Sequence, residues 1–335
     1  MTQALFAPWV LHVGLGPESA YSGLMLKVIA FTLEAAGAPI VKGGARNLLR
    51  AFRRLIEEHG ATIRTSCDVA KIVLDRGVAR GVRLADGTDI SADKGVICST
   101  TPHQLYTRLL DPETVPPGVA SAVRRFRHGK GNMQIHYALS APPQWRAPDL
   151  EGVALTHLTP GFDGVSRAAN EAERGMLPAV PTICVGQPAA LDPSRCPEGA
   201  SILWVQLPEA PGRIRGDAAG DIAAPSDGTW SGAVGERYAD RVEMILAGHI
   251  DGFRASIRGR RVYSPADLEL LNVNLVGGDP YGGFCGLDQF FLWRPFKNSI
   301  NHRTHVRRLY HIGASTHPGP GLGGGSGFLL ANSLR

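Results

Sequence analysis

Apolar residues recur along this chain at two spacings, and the changes between them mark out its parts. Over residues 21–36, Leu24, Val28, Ile29, Phe31 and Leu33 are too evenly spread to define one face. This predicts a well-buried helix ending at Gly37, with a loop before it. From Ile40 the sequence IVKGGARNLLRAFRRLIEEHG sets Leu48, Leu49, Phe52, Leu55 and Ile56 at helical spacing and turns Arg50, Arg53, Arg54, Glu57 and Glu58 outward. A second helix is therefore predicted, opened by Gly43-Gly44 and closed by Gly60. From Ala61 the period falls to two. Strands are predicted at 62–65, 69–75, 79–84, 88–91 and 95–98, with Asp86-Gly87 as a hairpin turn. The last of them, GVICST, carries no charge and reads as a central strand ending at Thr100-Thr101-Pro102, where a ligand could meet strand ends.

Residues 103–118 are helical and then proline-rich, a plausible crossing between domains. Beyond them, strands at 133–139, 153–158, 182–185 and 201–206 and a helix at 235–249 predict an α+β segment with a mostly antiparallel sheet. The aromatic, glycine-rich run 272–295 reads either as an ordinary buried loop or as a wall of a hydrophobic pocket. A short strand at 309–312 then leads through a glycine-dense loop, 313–327, into a helix starting near Phe328. Such a loop lets backbone N–H groups approach a ligand, and the helix N-terminus behind it carries partial positive charge. A flexible loop near a frayed terminus is the plainer alternative. Gly319, Gly321 and Gly324 spell G-x-G-x-x-G, but the dinucleotide fingerprint needs a further helix, strand and acidic residue beyond it, and the sequence stops at Arg335.

Composition narrows the classes. Among 335 residues, 41 glycines and 24 prolines fit many turns between short strands rather than a helical bundle. The net charge of +5 is spread out with no basic stripe interleaved with aromatics, so no nucleic-acid partner is expected. Five cysteines lie far apart without a C-x-x-C, which indicates neither a zinc site nor a disulfide framework, and no metal is expected. The N-terminus lacks a basic region and cleavage site, and no long uncharged apolar run occurs, so a soluble cytoplasmic protein is expected, with peripheral membrane contact left open.

Four stretches taken together, GGARNLLRAFRRLIEEHGATIRTSCDVAKIVL, GVARGVRLADGTDISADKGVICSTTP, GGDPYGGFCGLDQFFLWRP and LYHIGASTHPGPGLGGGSGF, resemble the phytoene-desaturase-like branch of the flavin amine oxidase superfamily. Within that branch the chain is most similar to the group containing pyridine nucleotide-disulfide oxidoreductase domain protein 2. The resemblance runs from about Leu5 to the end and implies an α/β plus α+β protein: an incomplete doubly wound FAD-binding domain interleaved with an antiparallel-sheet substrate domain. It implies a helical N-terminal part at 1–37, FAD-binding segments at 38–110 and 299–335, and a substrate domain at 111–298.

Carried onto this sequence, the family pattern implies FAD contacts at Gly43 and Gly44, at Val69 through its backbone, at Thr100 and Thr101, at Gly313, Ala314 and Ser315, and at Gly324, Gly325, Ser326 and Gly327. The implied chemistry is hydride transfer between an apolar substrate, a lipid or polyene, and flavin. His317 is the titratable side chain nearest the glycine loop and the candidate for proton handling, while Arg294 beside Pro295 reads as a structural ion-pair residue. His103, His136, His157 and His302 read as ordinary core or surface residues. The family's opening strand, glycine turn and acidic residue are absent before Gly43, so the expectation is a truncated or split member whose N-terminal FAD-binding half is lost or lies on a separate chain. A catalytically inactive remnant acting as a binding or scaffold protein is the alternative.

Overall fold

Strict alternation builds the largest sheet. In β5 (Gly131–Leu139), Met133, Ile135, Tyr137 and Leu139 are at most 2% exposed, whereas His136 and Ala138 between them face outward. Leu203, Val205 and Leu207 repeat the pattern in β10 (Ser201–Ala210). These two strands are the middle of a five-stranded sheet in the order β13-β5-β10-β9-β7, with β7 at Leu155–Leu158, β9 at Ile183–Gly186 and β13 at Ile257–Tyr263. Every neighbouring pair is antiparallel, as the sequence pattern predicts. The helix α6 (Gly232–Ala247) lays Val234, Tyr238, Ala239, Val242 and Leu246 into the core of this sheet, and the Ser231 hydroxyl caps it by accepting the Val234 N–H. The strand β13 escapes the sequence reading because its run IRGRRVY is so basic. Its Arg260 is nevertheless held by Glu236, Asp240 and Glu243 of α6.

The computed structural model describes residues 2–297, 299 and 302–335, so the domain boundary expected at 298/299 touches a residue outside that set. The sheet belongs to a first unit, Met1–Ile63 with Lys130–Leu271; the second unit is Arg64–Gly129 with Asn272–Arg335. Each is thus assembled from two separated stretches of chain. The first unit also holds α1 (Thr2–Leu11), where a loop is expected from sequence, and α5 (Phe162–Glu173); Ala7 and Leu11 of α1 pack on Val165 and Ala169 of α5. Short pairs β6 (Gln144–Trp145) with β12 (Ile250–Asp251) and β8 (Met176–Leu177) with β11 (Gly216–Asp217), together with α7 (Phe253–Ser256) and α8 (Pro265–Leu271), complete it.

Two helices of this unit depart from their expected burial. In α2 (Ser22–Ala36) no residue is buried and Phe31 is 73% exposed, so the helix forms where expected but not in a core. Its apolar residues circle the axis, and among the described residues none of them is more than partly covered. In α3 (Ala45–Glu58) the amphipathic stripe forms as predicted, yet Leu49 is 69% and Leu55 51% exposed. Residues 62–65 form no strand.

In the second unit, β1 (Val69–Asp75), β2 (Val78–Leu84) and β3 (Asp89–Ser91) make an antiparallel meander, turned at Asp86-Gly87. A separate parallel pair joins β4 (Val96–Cys98) to β14 (Leu309–His311). Among the described residues β4 has that one ladder partner, and its Ile97 is 53% exposed, where a central strand is expected from the uncharged sequence. Ile72, Ala79, Cys98, Leu105, Leu109, Val123 of α4 (Pro117–Arg125) and Leu309 form the core of this unit. The chain closes in α9 (Gly325–Ser333). No helix among the described residues is long and apolar enough to cross a membrane.

Among the buried polar residues of the first unit, one is an acid inside the main sheet. Glu209 of β10 is fully buried, and its Oε1 accepts the Thr182 N–H at 2.7 Å. Desolvation pushes its carboxyl up from 4.5 to about 7. A raised carboxyl favours the fold while protonated, so stability falls as pH rises from about 4.5 through about 7. Glu209→Gln is expected to abolish that fall and to raise the stability at pH 8 by up to about 3 kcal/mol. Urea unfolding at pH 5 and pH 8 measures it, and an unchanged pH slope would contradict this account.

Candidate cofactor site

The parallel pair β4/β14 has its register fixed as Leu309 to Val96, Tyr310 to Ile97 and His311 to Cys98, and the Ile312 N–H donates to the Cys98 carbonyl at 2.9 Å. Both strands therefore release their chains at one edge, Ser99–Thr101 beside Ile312–Ser315. The carboxyl ends of parallel strands are where such sheets bind ligands. His311 locks the edge: it is 3% exposed, and its Nε2–H donates to the Thr100 carbonyl at 2.7 Å. Desolvation holds this imidazole down at about 4, so it is neutral, and its Nδ1 has no protein partner. Thr101, 1% exposed, donates its N–H to Asn274 Oδ1 at 2.9 Å, and its own hydroxyl is buried without a protein partner.

The glycine loop returns to this edge. Gly313 has φ +97, and its N–H donates to Ser326 Oγ at 2.9 Å, which ties the first turn of α9 to the end of β14. Gly324, at φ +65, is the N-cap of α9. A side chain at Gly321, Gly323 or Gly324 would meet nothing within 4 Å, so the loop borders open space on that side. This is a cradle of backbone at a helix N-terminus, with buried unpartnered polar atoms beside it, and it suits a polar-edged planar group.

Arg294 clamps the arrangement. The side chain is 1% exposed, and its guanidinium donates to carbonyls of Ala314 (Nε, 2.7 Å), Phe284 (Nη1, 3.1 Å), and Tyr281 and Gly283 (Nη2). The Arg294 carbonyl in turn accepts the His317 N–H at 3.1 Å. The fork of the guanidinium thus binds one loop, 281–284, to another, 314–317. Ser315 Oγ adds a hydrogen bond to the Gly282 carbonyl at 2.6 Å. The aromatic run is itself organised by polar side chains. The fully buried Asp279 carboxylate accepts the Gly129, Tyr281 and Gly283 N–H groups at 2.8 Å each, and Gln289 pairs with both backbone groups of Arg127.

A cavity of about 430 Å³ opens among Tyr106, Arg294, His302, His311, Thr316 and His317. His317 lies on its wall with Nδ1 buried and unpartnered. His302, expected to be an ordinary residue, lines it as well and directs Nδ1 at the His311 carbonyl, 3.1 Å away. Thr100, Thr101, Gly313–Ser315 and Gly324–Gly327 are thus gathered in one unit. Val69 opens β1 of the same unit, with its carbonyl 3.5 Å from Arg108 Nη2. Gly43 and Gly44 belong to the first unit, where the Gly43 N–H donates to Asp192 Oδ2 at 2.7 Å. Hydrogen bonds from Ser194, Gly43 and Arg195 hold that carboxyl down at about 2. His311, Asn274 and the carbonyl-binding role of Arg294 have no signature in the sequence beyond their places next to a strand end or a glycine run.

No protein-family model matches the chain. Pyridine nucleotide-disulfide oxidoreductase domain-containing protein 2 of Rattus norvegicus is 27% identical over 297 residues, covering 86% of this chain and 49% of that protein. The lycopene-forming phytoene desaturase of a Paracoccus strain is 27% identical over 323 residues, covering 95% and 58%. The chain is a relative of the phytoene desaturases. It spans about half the length of the curated relatives it matches. Among solved structures, an oxidoreductase from Methanosarcina mazei superposes with TM-score 0.57 at 15% identity, over 99% of this chain and 64% of that one. Putrescine oxidase bound to putrescine gives 0.51 at 13% identity, over 87% and 52%. The mixed α/β fold therefore resembles that of these two oxidoreductases.

Removing the clamp leaves several buried carbonyls without donors. Arg294→Ala is expected to destabilise the protein by about 3–5 kcal/mol, and Arg294→Lys, with its point charge, to recover less than half of that. Denaturant unfolding followed by fluorescence measures both, and a loss under about 1 kcal/mol in Arg294→Ala would contradict the clamp.

Proposed function

We propose that the second unit binds the flavin end of FAD at the strand ends of β4 and β14, and that the protein serves in FAD-dependent hydride transfer with an apolar substrate of the polyene or lipid class. The observation that carries this reading is the convergence of two parallel strand ends, an open glycine loop and the start of α9 in one unit. Relatives named as phytoene desaturases support the reaction class. The cofactor, when bound, supplies the hydride acceptor or donor. The chain's part is to orient it, through the backbone of Gly313–Ser315 and the first-turn amides of α9, which favour negative charge. His317, on the cavity wall with a free ring nitrogen, is the residue we assign to proton handling.

We further propose that the ADP contacts come from a strand-turn-helix outside these residues, in the same protein or a second chain; the exposed Ile97 on β4 supports this. The alternative, a binding protein without catalysis, is separated from it by experiment. The purified chain is mixed with FAD, alone and with a relative's N-terminal half, and passed through a sizing column. Flavin absorbance is expected to travel with the protein, and more strongly with the added half. Gly324→Val, which forces a branched residue into a positive-φ position, is expected to lower the retained flavin at least tenfold. Photoreduced complex should be reoxidised by an unsaturated polyene under argon, or the oxidised complex bleached by a more saturated one. Bound flavin that responds to neither selects the non-catalytic reading, and flavin retained equally by Gly324→Val removes the proposed site.

A further inference from the structure

A group of ligand-type side chains lies in the first unit, in a part of the fold that the cofactor reading does not use. His157 of β7 and Cys184 of β9 are direct cross-strand partners at the edge of the five-stranded sheet. His12, in the turn that ends α1, reaches the same point: its Nε2 is 2.7 Å from His157 Nε2. One ligand atom from each of His12, His157 and Cys184 lies within 4.8 Å of the others. The rings are held in place by their packing. His12 and His157 meet at 5.0 Å between centroids, and Trp9 sits edge-on to His157 at 4.9 Å.

We propose that His12, His157 and Cys184 form a transition-metal site whose ion is Zn²⁺. Two imidazoles and a thiolate are a borderline-soft donor set of the kind zinc takes, with a fourth position left for water or another ligand. A tetrahedral ion with Zn–N of about 2.0–2.1 Å needs its nitrogens about 3.4 Å apart, so the two rings have to part by less than about 1 Å. The contact between the two Nε2 atoms requires one of them to carry a proton, so on binding that ring shifts its proton to Nδ1 and both rings present a bare Nε2 to the ion. The Cys184 thiol, pushed up to about 12 by burial, is protonated without metal. On binding, the S–H bond is replaced by an S–Zn bond and one proton leaves to solvent. The ion would fasten the end of α1 to an edge strand that it otherwise meets through the ring contacts of Trp9 and His12 with His157. His12 and His157 are 145 residues apart in sequence, so no ligand spacing could announce the site, and the expectation of no metal rested on spacing alone.

The competing account is a plain His–His hydrogen bond beside a buried thiol. The full chain, stripped by a chelator and dialysed, is titrated with Zn²⁺ and separately with Co²⁺. One Zn²⁺ per chain by elemental analysis is expected, with a rise in Tm. Co²⁺ should give tetrahedral d–d bands and a thiolate-to-cobalt charge-transfer band. Cys184→Ala should remove the charge-transfer band, while Cys67→Ser with Cys196→Ser, which alters the partly exposed thiols, should keep it. His12→Gln, in a turn and only partly buried, guards against misfolding of the Cys184 variant and should weaken Zn²⁺ binding at least tenfold. Substoichiometric zinc, a charge-transfer band that survives in Cys184→Ala, or unchanged affinity in His12→Gln would each overturn the proposal.

Discussion

The guanidinium of Arg294 is the contact on which the candidate site rests. A cation taken out of water is stable there because carbonyl oxygens from two loops converge on it, Tyr281, Gly283 and Phe284 on one side and Ala314 on the other. Through that contact the glycine loop, which has little side-chain packing of its own, acquires a fixed path. Ser315 and Ser326 each add one bond, to Gly282 and to Gly313, so the loop is pinned at its entry and at its exit into α9. Between those pins Gly321, Gly323 and Gly324 border open space. Rigid ends with an uncovered middle are what a backbone-lined ligand cradle requires.

The two units depend on different physics. In the first, alternating apolar residues of β5 and β10 with one face of α6 make the core, with buried polar side chains such as Gln187 and Glu209 bonded to backbone beside them. In the second, buried polar side chains do the organising. Asp279, Gln289, Arg294 and His311 are all at most 7% exposed and all are bonded to backbone. Loops that cannot pair in a ladder have satisfied their N–H and carbonyl groups through these side chains.

That contrast explains what could be read from the chain. Periodicity located β1, β2, β5 and β10 within a few residues, because each buries one face, and the Asp86-Gly87 turn followed from its chemistry. The glycine loop and the strand before it were legible for the same reason. Periodicity misplaced the burial of α2, since a pattern shows which residues are apolar and not whether another layer covers them. It passed over β13, whose arginines look like a solvated loop until the acids of α6 are brought beside them. Arg294 was visible as a residue but not as a clamp, because the clamp is made with carbonyls, which every residue has. His12, His157 and Cys184 meet only through the fold.

The central claim is that the ends of β4 and β14, the clamped glycine loop and the start of α9 form one cofactor site. Hydrogen exchange of backbone amides, measured by mass spectrometry with and without saturating FAD, tests it most directly. The account predicts slowed exchange in peptides covering 312–317 and 322–328, with the meander of β1, β2 and β3 unchanged. Protection confined to other segments, or none in these two under conditions where FAD is bound, would contradict it.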